Sequence, residues 1–132
     1  MRLQRVTMLL AGMAFGAATS AWTQQDTSAK SITPAMVARG DSVFHGHAGG
    51  GTCFVCHGAN AKGTEGLAPD LTSGKWLNGD GSFHSIMQTV EQGVPKPKQA
   101  AAPMPPAGGA PLTPADIRAV AAFVYSLNHP RS

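Results

Sequence analysis

Two cysteines and a histidine stand together as Cys53-Phe54-Val55-Cys56-His57, and the 132-residue chain has no other cysteine. Thiols this close offer a small set of chemistries. A disulfide between them would close a very short loop, which gains little from the chain-entropy effect that makes long-loop bridges stabilising. Such a bridge would serve redox exchange rather than structure. Thioredoxin-like exchange, however, sets its Cys-x-x-Cys beside a βαβ pattern, and no strand-like alternation accompanies this one. A zinc site is the second option, since His45, His47, Cys53 and Cys56 supply four ligands of suitable kinds. Their spacing is not one of the usual structural zinc patterns, and it leaves His57 idle. The third option uses the whole cluster. Two thiols at this spacing can each add to one of the two vinyl groups of a porphyrin, and the histidine after the second thiol then offers an imidazole nitrogen to the iron. Covalent haem attachment therefore fits the residues best, and His45 and His47, in a glycine-rich stretch, read as solvated loop residues.

The elements that must hold this cluster are helical. Thr33-Pro34 is a helix start, with Thr33 able to cap free amides and Pro34 at a position where its missing N–H costs nothing. The helix runs from Ala35 to Phe44 on an apolar stripe of Met36, Val37, Gly40, Val43 and Phe44, and the glycines from Gly46 to Gly51 end it. A second helix begins near Ser82, carries Phe83, Ile86, Met87 and Val90 at i, i+3, i+4 and i+7, and stops at Gly93. The third repeats the Thr-Pro start at Thr113-Pro114, sets Asp116 in its first turn, and buries Ile117, Val120, Ala121, Val124 and Leu127 before ending by Asn128. Three main helices without a convincing strand predict an all-α domain. Val94 to Pro111 is too rich in proline to be helical, and so long a loop in a compact domain is usually functional or disordered.

The first residues read as an address. Arg2 and Arg5, an apolar run from Val6 to Ala18 and the small residues up to Ala21 follow the order of a secretory signal peptide, so 1–21 is expected to be removed on export to the periplasm. The run is short for a membrane span, which is expected only if an uncleaved signal serves as an anchor. Residues 22–32 then form a flexible segment and 33–132 the single functional domain. Loss of Arg2 and Arg5 lowers the formal charge from +3 to +1. Lysines scattered at 30, 62, 75, 96 and 98 form no basic stripe, which excludes nucleic acid as a partner. Large aliphatic and aromatic side chains are few, so a buried cofactor would supply missing core.

From about Thr33 to its end the chain resembles the class I c-type cytochromes. The resemblance rests first on Cys53-x-x-Cys56-His57 and then on Pro69, twelve residues beyond His57 in Ala68-Pro69-Asp70-Leu71. It implies a monohaem bundle wrapped around one covalent haem c, with His57 as proximal ligand and the Pro69 carbonyl accepting its Nδ1–H. It also implies Leu71 packing on the haem and Met104, in Ala102-Pro103-Met104-Pro105-Pro106, as distal ligand. Met87 and His84 are the competing ligands on the second helix. Trp76 resembles a tryptophan that donates to a haem propionate in some relatives, and Gly40, Phe44 and Phe123 resemble the family's interhelical contact. The implied function is one-electron transfer between respiratory proteins, or service as the haem subunit of a dehydrogenase or oxidase complex, without catalysis of its own. A haem enzyme or gas sensor with a labile sixth ligand is the alternative, and a zinc-binding module the remote one.

Overall fold

The computed structural model describes residues 27–130, which form four helices: α1 (Pro34–Phe44), α2 (Cys53–His57), α3 (Phe83–Gln92) and α4 (Pro114–Ser126). Single 3-10 turns sit at Ala29–Ser31 and Pro106–Gly109, and the described residues hold only two isolated antiparallel bridges, Thr64 with Ala68 and Val94 with Met104. The all-α expectation is met, with one helix more than the sequence suggested. α2 is a single turn, too short to show periodicity, and Gly58 ends it at φ 76°. α4 stops at Ser126, before Asn128 as expected. The leader read at 1–21 and residues 22–26 of the loose segment lie outside the described residues. The end of that segment is packed, because Ala29–Ser31 makes its turn and Ile32 is buried in the core.

Local chemistry starts the helices where the residue types indicated. Thr33 accepts from the Met36 amide, Ser82 from the Ser85 amide and Thr113 from the Asp116 amide, each with its hydroxyl oxygen. At α4 the Asp116 carboxylate also reaches back to the Thr113 amide, completing a capping box.

α1 and α4 form the principal packed pair. They meet closely because Gly40 has no side chain: a Cβ there would overlap the Ala119 carbonyl and lie 2.8 Å from Phe123 Cβ. Beside that crossing the rings of Phe44 and Phe123 pack at 5.2 Å. Across it the Arg39 guanidinium donates twice to Asp116 Oδ1, at 2.7 and 3.0 Å. α3 lies on α4 through Phe83, whose ring meets Tyr125 edge-on at 6.3 Å and receives the Arg118 guanidinium at 5.1 Å. Arg118 also donates to the Ser31 hydroxyl, tying the first turn to α4. The buried core draws Val43 and Phe44 from α1, Phe83, Ile86 and Val90 from α3, and the small run Ala119 to Ala122 with Val124 from α4.

Candidate haem cavity

α2 presents its reactive residues on one side. Cys53 and Cys56 are three apart and His57 is four from Cys53, the spacings that share a helix face. The two sulfurs are not joined in a disulfide. Burial pushes the Cys53 thiol above its ordinary value, against nearby backbone hydrogen bonds that lower it. The amino end of α2 is held by the Thr52 hydroxyl, which donates to the Gly108 carbonyl at 3.1 Å.

All three residues border a cavity of about 400 Å³, a size common for small-molecule sites. Phe44 of α1, Ile86 and Val90 of α3, and Val120 and Val124 of α4 supply apolar wall. Pro69, Leu71, Trp76 and Met104 line it as well, so the structure brings together every site residue inferred from the sequence.

His57 is oriented by its neighbours. Its Nδ1–H donates to the Pro69 carbonyl at 3.0 Å, which fixes the tautomer and leaves Nε2 with its lone pair. Burial lowers the imidazole's pKa, with the Pro69 carbonyl opposing, so the ring is held in the neutral form a metal needs. Sequence reasoning missed the residue that lets this carbonyl approach. Gly63, at φ 81°, is so close that a Cβ would lie 2.6 Å from the Pro69 carbonyl carbon, while its amide donates to the His57 carbonyl at 2.8 Å. Its signal in sequence is only a glycine six residues after the ligand histidine.

Met104 is held through its backbone. Its amide donates to the Val94 carbonyl at 3.1 Å and its carbonyl accepts from the Val94 amide at 2.8 Å. Gly93 permits this bridge, because a Cβ there would overlap the Met104 carbonyl. Farther back on the loop, the Ala101 amide donates to the Gly66 carbonyl at 2.9 Å, joining the methionine segment to the segment that carries Pro69. The proline-rich stretch is thus ordered by a few backbone bonds. Of the competing ligands, Met87 packs against the core and His84 is exposed, and neither borders the cavity. Trp76 packs its indole edge against Gly81.

One expectation is corrected. His45 is not a solvated loop residue: it caps α1, its Nε2 lies 2.7 Å from the Ala59 carbonyl, and its Nδ1 lies 3.0 Å from the Asp41 carbonyl. Nor do His45, His47, Cys53 and Cys56 assemble, for among the described residues no three His, Cys, Asp or Glu are grouped to hold a metal ion. The cavity does fit a haem. Its lining carries the two thiols of the Cys-x-x-Cys pair, a neutral imidazole with one free nitrogen, a thioether and apolar walls, which together could attach a porphyrin and ligate its iron twice.

Comparison with known proteins agrees with that chemistry. Residues 37–128 match the family described as Cytochrome c. A Cbb3-type cytochrome c oxidase subunit CcoP of Rubrivivax gelatinosus is 34% identical over 104 residues, covering 79% of this chain and 30% of that protein. The corresponding subunit FixP of Bradyrhizobium diazoefficiens is 33% identical over 91 residues, covering 68% of this chain and 27% of its own length. The chain thus spans about a third or less of these curated relatives. Among solved structures, cytochrome CL of Methylophaga aminisulfidivorans superposes with a TM-score of 0.54 at 22% identity, covering 74% of this chain and 56% of that one, a likeness of fold.

Proposed function

The chain belongs to the cytochrome c family with one covalently bound haem c, and from that premise we propose that it carries single electrons between respiratory proteins with His57 and Met104 as axial ligands. Haem, once attached, supplies reversible ferrous–ferric chemistry. The chain's residues set its terms. His57 offers Nε2 because Pro69 occupies Nδ1, and Met104 offers a soft thioether, which favours the ferrous state. Held by both His57 and Met104, the iron would have no place for substrate, and the chain would act as a carrier rather than as a catalyst. Apolar walls add to the preference for the less charged iron.

The observation that carries this reading is that His57, already oriented by Pro69, and Met104 border one apolar cavity. The similarity to oxidase subunits supports work inside a complex as well as free shuttling. The amino-terminal pattern of basic, apolar and small residues supports export to the periplasm. Visible spectra of purified holoprotein in both oxidation states test the assignment. A pyridine haemochrome of haem c, a weak charge-transfer band from sulfur on ferric iron and indifference of the ferrous form to carbon monoxide are expected. Ready binding of carbon monoxide would replace the carrier with an open-site enzyme or gas sensor.

A further inference from the structure

Outside the cavity, one titratable group is held in a way that its neutral form does not satisfy. Both ring nitrogens of His45 face acceptors: Nε2 the Ala59 carbonyl at 2.7 Å, and Nδ1 the Asp41 carbonyl at 3.0 Å and the Asp41 carboxylate at 3.1 Å. A neutral imidazole has one N–H and would leave one side with lone pair against lone pair, whereas the imidazolium donates on both sides. The residues bridged are the carboxyl end of α1, where a cation is favoured, and the loop that leaves His57. The fully buried Phe44 neighbours both His45 and His57, its ring centroid 5.1 Å from the one and 6.5 Å from the other. A charge on His45 therefore lies within about 12 Å of the His57 ring, through protein interior that salt screens little.

We propose that His45 is a redox-linked proton site, carrying two ring protons when the iron is ferrous and releasing one more readily when it is ferric. This rests on the haem ligation proposed above. The added positive charge of ferric iron would repel the imidazolium over that distance, so one electron taken up by the iron would be accompanied by partial uptake of a solvent proton onto the bare ring nitrogen of His45. Linkage requires the converse: the protonated ring favours ferrous iron by the same free energy. The surroundings on every side are consistent with a cationic ring. On α1 it faces the Asp41 carboxylate, and α4 contributes the ring of Phe123 at 6.0 Å. The loop after α1 stacks His47 at 6.3 Å. The loop after α2 brings the Ala59 carbonyl, while Lys62 on that loop acts on Asp70. The Ala59 carbonyl is the chief influence raising the His45 pKa, burial opposes it and Asp41 adds to it.

The test is the midpoint potential of the holoprotein against pH, for wild type, His45→Gln and the control His47→Gln, with the His45 ring nitrogens followed by NMR in both oxidation states. The wild-type and His47→Gln potentials should fall as pH rises through the His45 titration and then level off, and His45→Gln should lack that step. NMR on wild type should place the His45 pKa above the ordinary histidine value and higher in ferrous than in ferric protein. A step retained in His45→Gln, a step lost in His47→Gln, or a His45 pKa equal in the two states would overturn the proposal. If His45→Gln fails to mature, the wild-type NMR comparison decides alone. Loss of the haem spectrum or of methionine ligation in wild type would instead remove the ligation on which the inference rests.

Discussion

Met104 reaches the cavity on a short tether, two backbone hydrogen bonds to Val94 between flanking prolines, so its thioether is presented without helical support. Truncating it should change the metal and little else. Met104→Ala should lower the midpoint potential by on the order of 0.1–0.3 V, within the roughly 0.8 V that axial ligands command. It should also abolish the charge-transfer band and let ferrous protein bind carbon monoxide, all read by spectroelectrochemistry. Met87→Leu, a volume-conserving swap at a core position, should cost less than about 1.5 kcal/mol and leave the spectrum as it is. At this scale the thiols and His57 were legible from residue type and short spacing, Pro69 and Met104 only through the family resemblance, and all of them border one cavity. It was silent where an interaction depends on a main-chain group. The Ala59 carbonyl that makes His45 a bridge leaves no trace in side-chain identity, and the Gly63 backbone packed against Pro69 leaves only a lone glycine.

α4 shows how an element was read, and how far. Its Thr-Pro start and the placing of Asp116 in its first turn are local signals, visible in four consecutive residues, while the capping box that Asp116 completes came from the structure. That the same carboxylate would pair with Arg39 of α1 was hidden, because the contact joins residues 77 apart. Arg39 first, and then the Thr113 hydroxyl, hold Asp116 below the ordinary carboxylate value. A depressed pKa in the folded state means a contribution fully present above the unfolded value near 3.9 and lost as pH falls through the folded one. Asp116→Asn keeps the shape and removes the charge, and should cost about 1 kcal/mol at pH 7. Urea unfolding of the holoprotein at pH 7 and near pH 3 checks the sign: the gap between wild type and variant should shrink in acid, and a gap that widens there would refute the assignment. α2 escaped notice because one turn contains no repeat. The stretch from Val94 to Pro111 looked structureless because its order comes from non-local backbone bonds, Val94 to Met104 and Ala101 to Gly66.

At the scale of the molecule, charge and apolar surface decide how partners meet. A formal charge of +1 without Arg2 and Arg5 gives little long-range steering. Val55 and Leu67, at the edge of the cavity, are 61% and 38% exposed and offer a small apolar contact. Electron-transfer rates with a respiratory partner, followed by stopped flow, should therefore change only modestly between low and physiological ionic strength. A steep decline with salt would reveal a charged docking patch instead. The cavity itself has a consequence for the life of the polypeptide before it acquires colour. Its walls are mostly apolar, so a chain without haem would leave in water the surface that the porphyrin covers and would lose that hydrophobic burial, in a fold whose whole stability margin is small. The newly made chain would then be less stable than the holoprotein and a better substrate for proteases. Haem supply should therefore bear on its abundance, and a batch made without haem should melt at a lower temperature and be digested faster than the holoprotein.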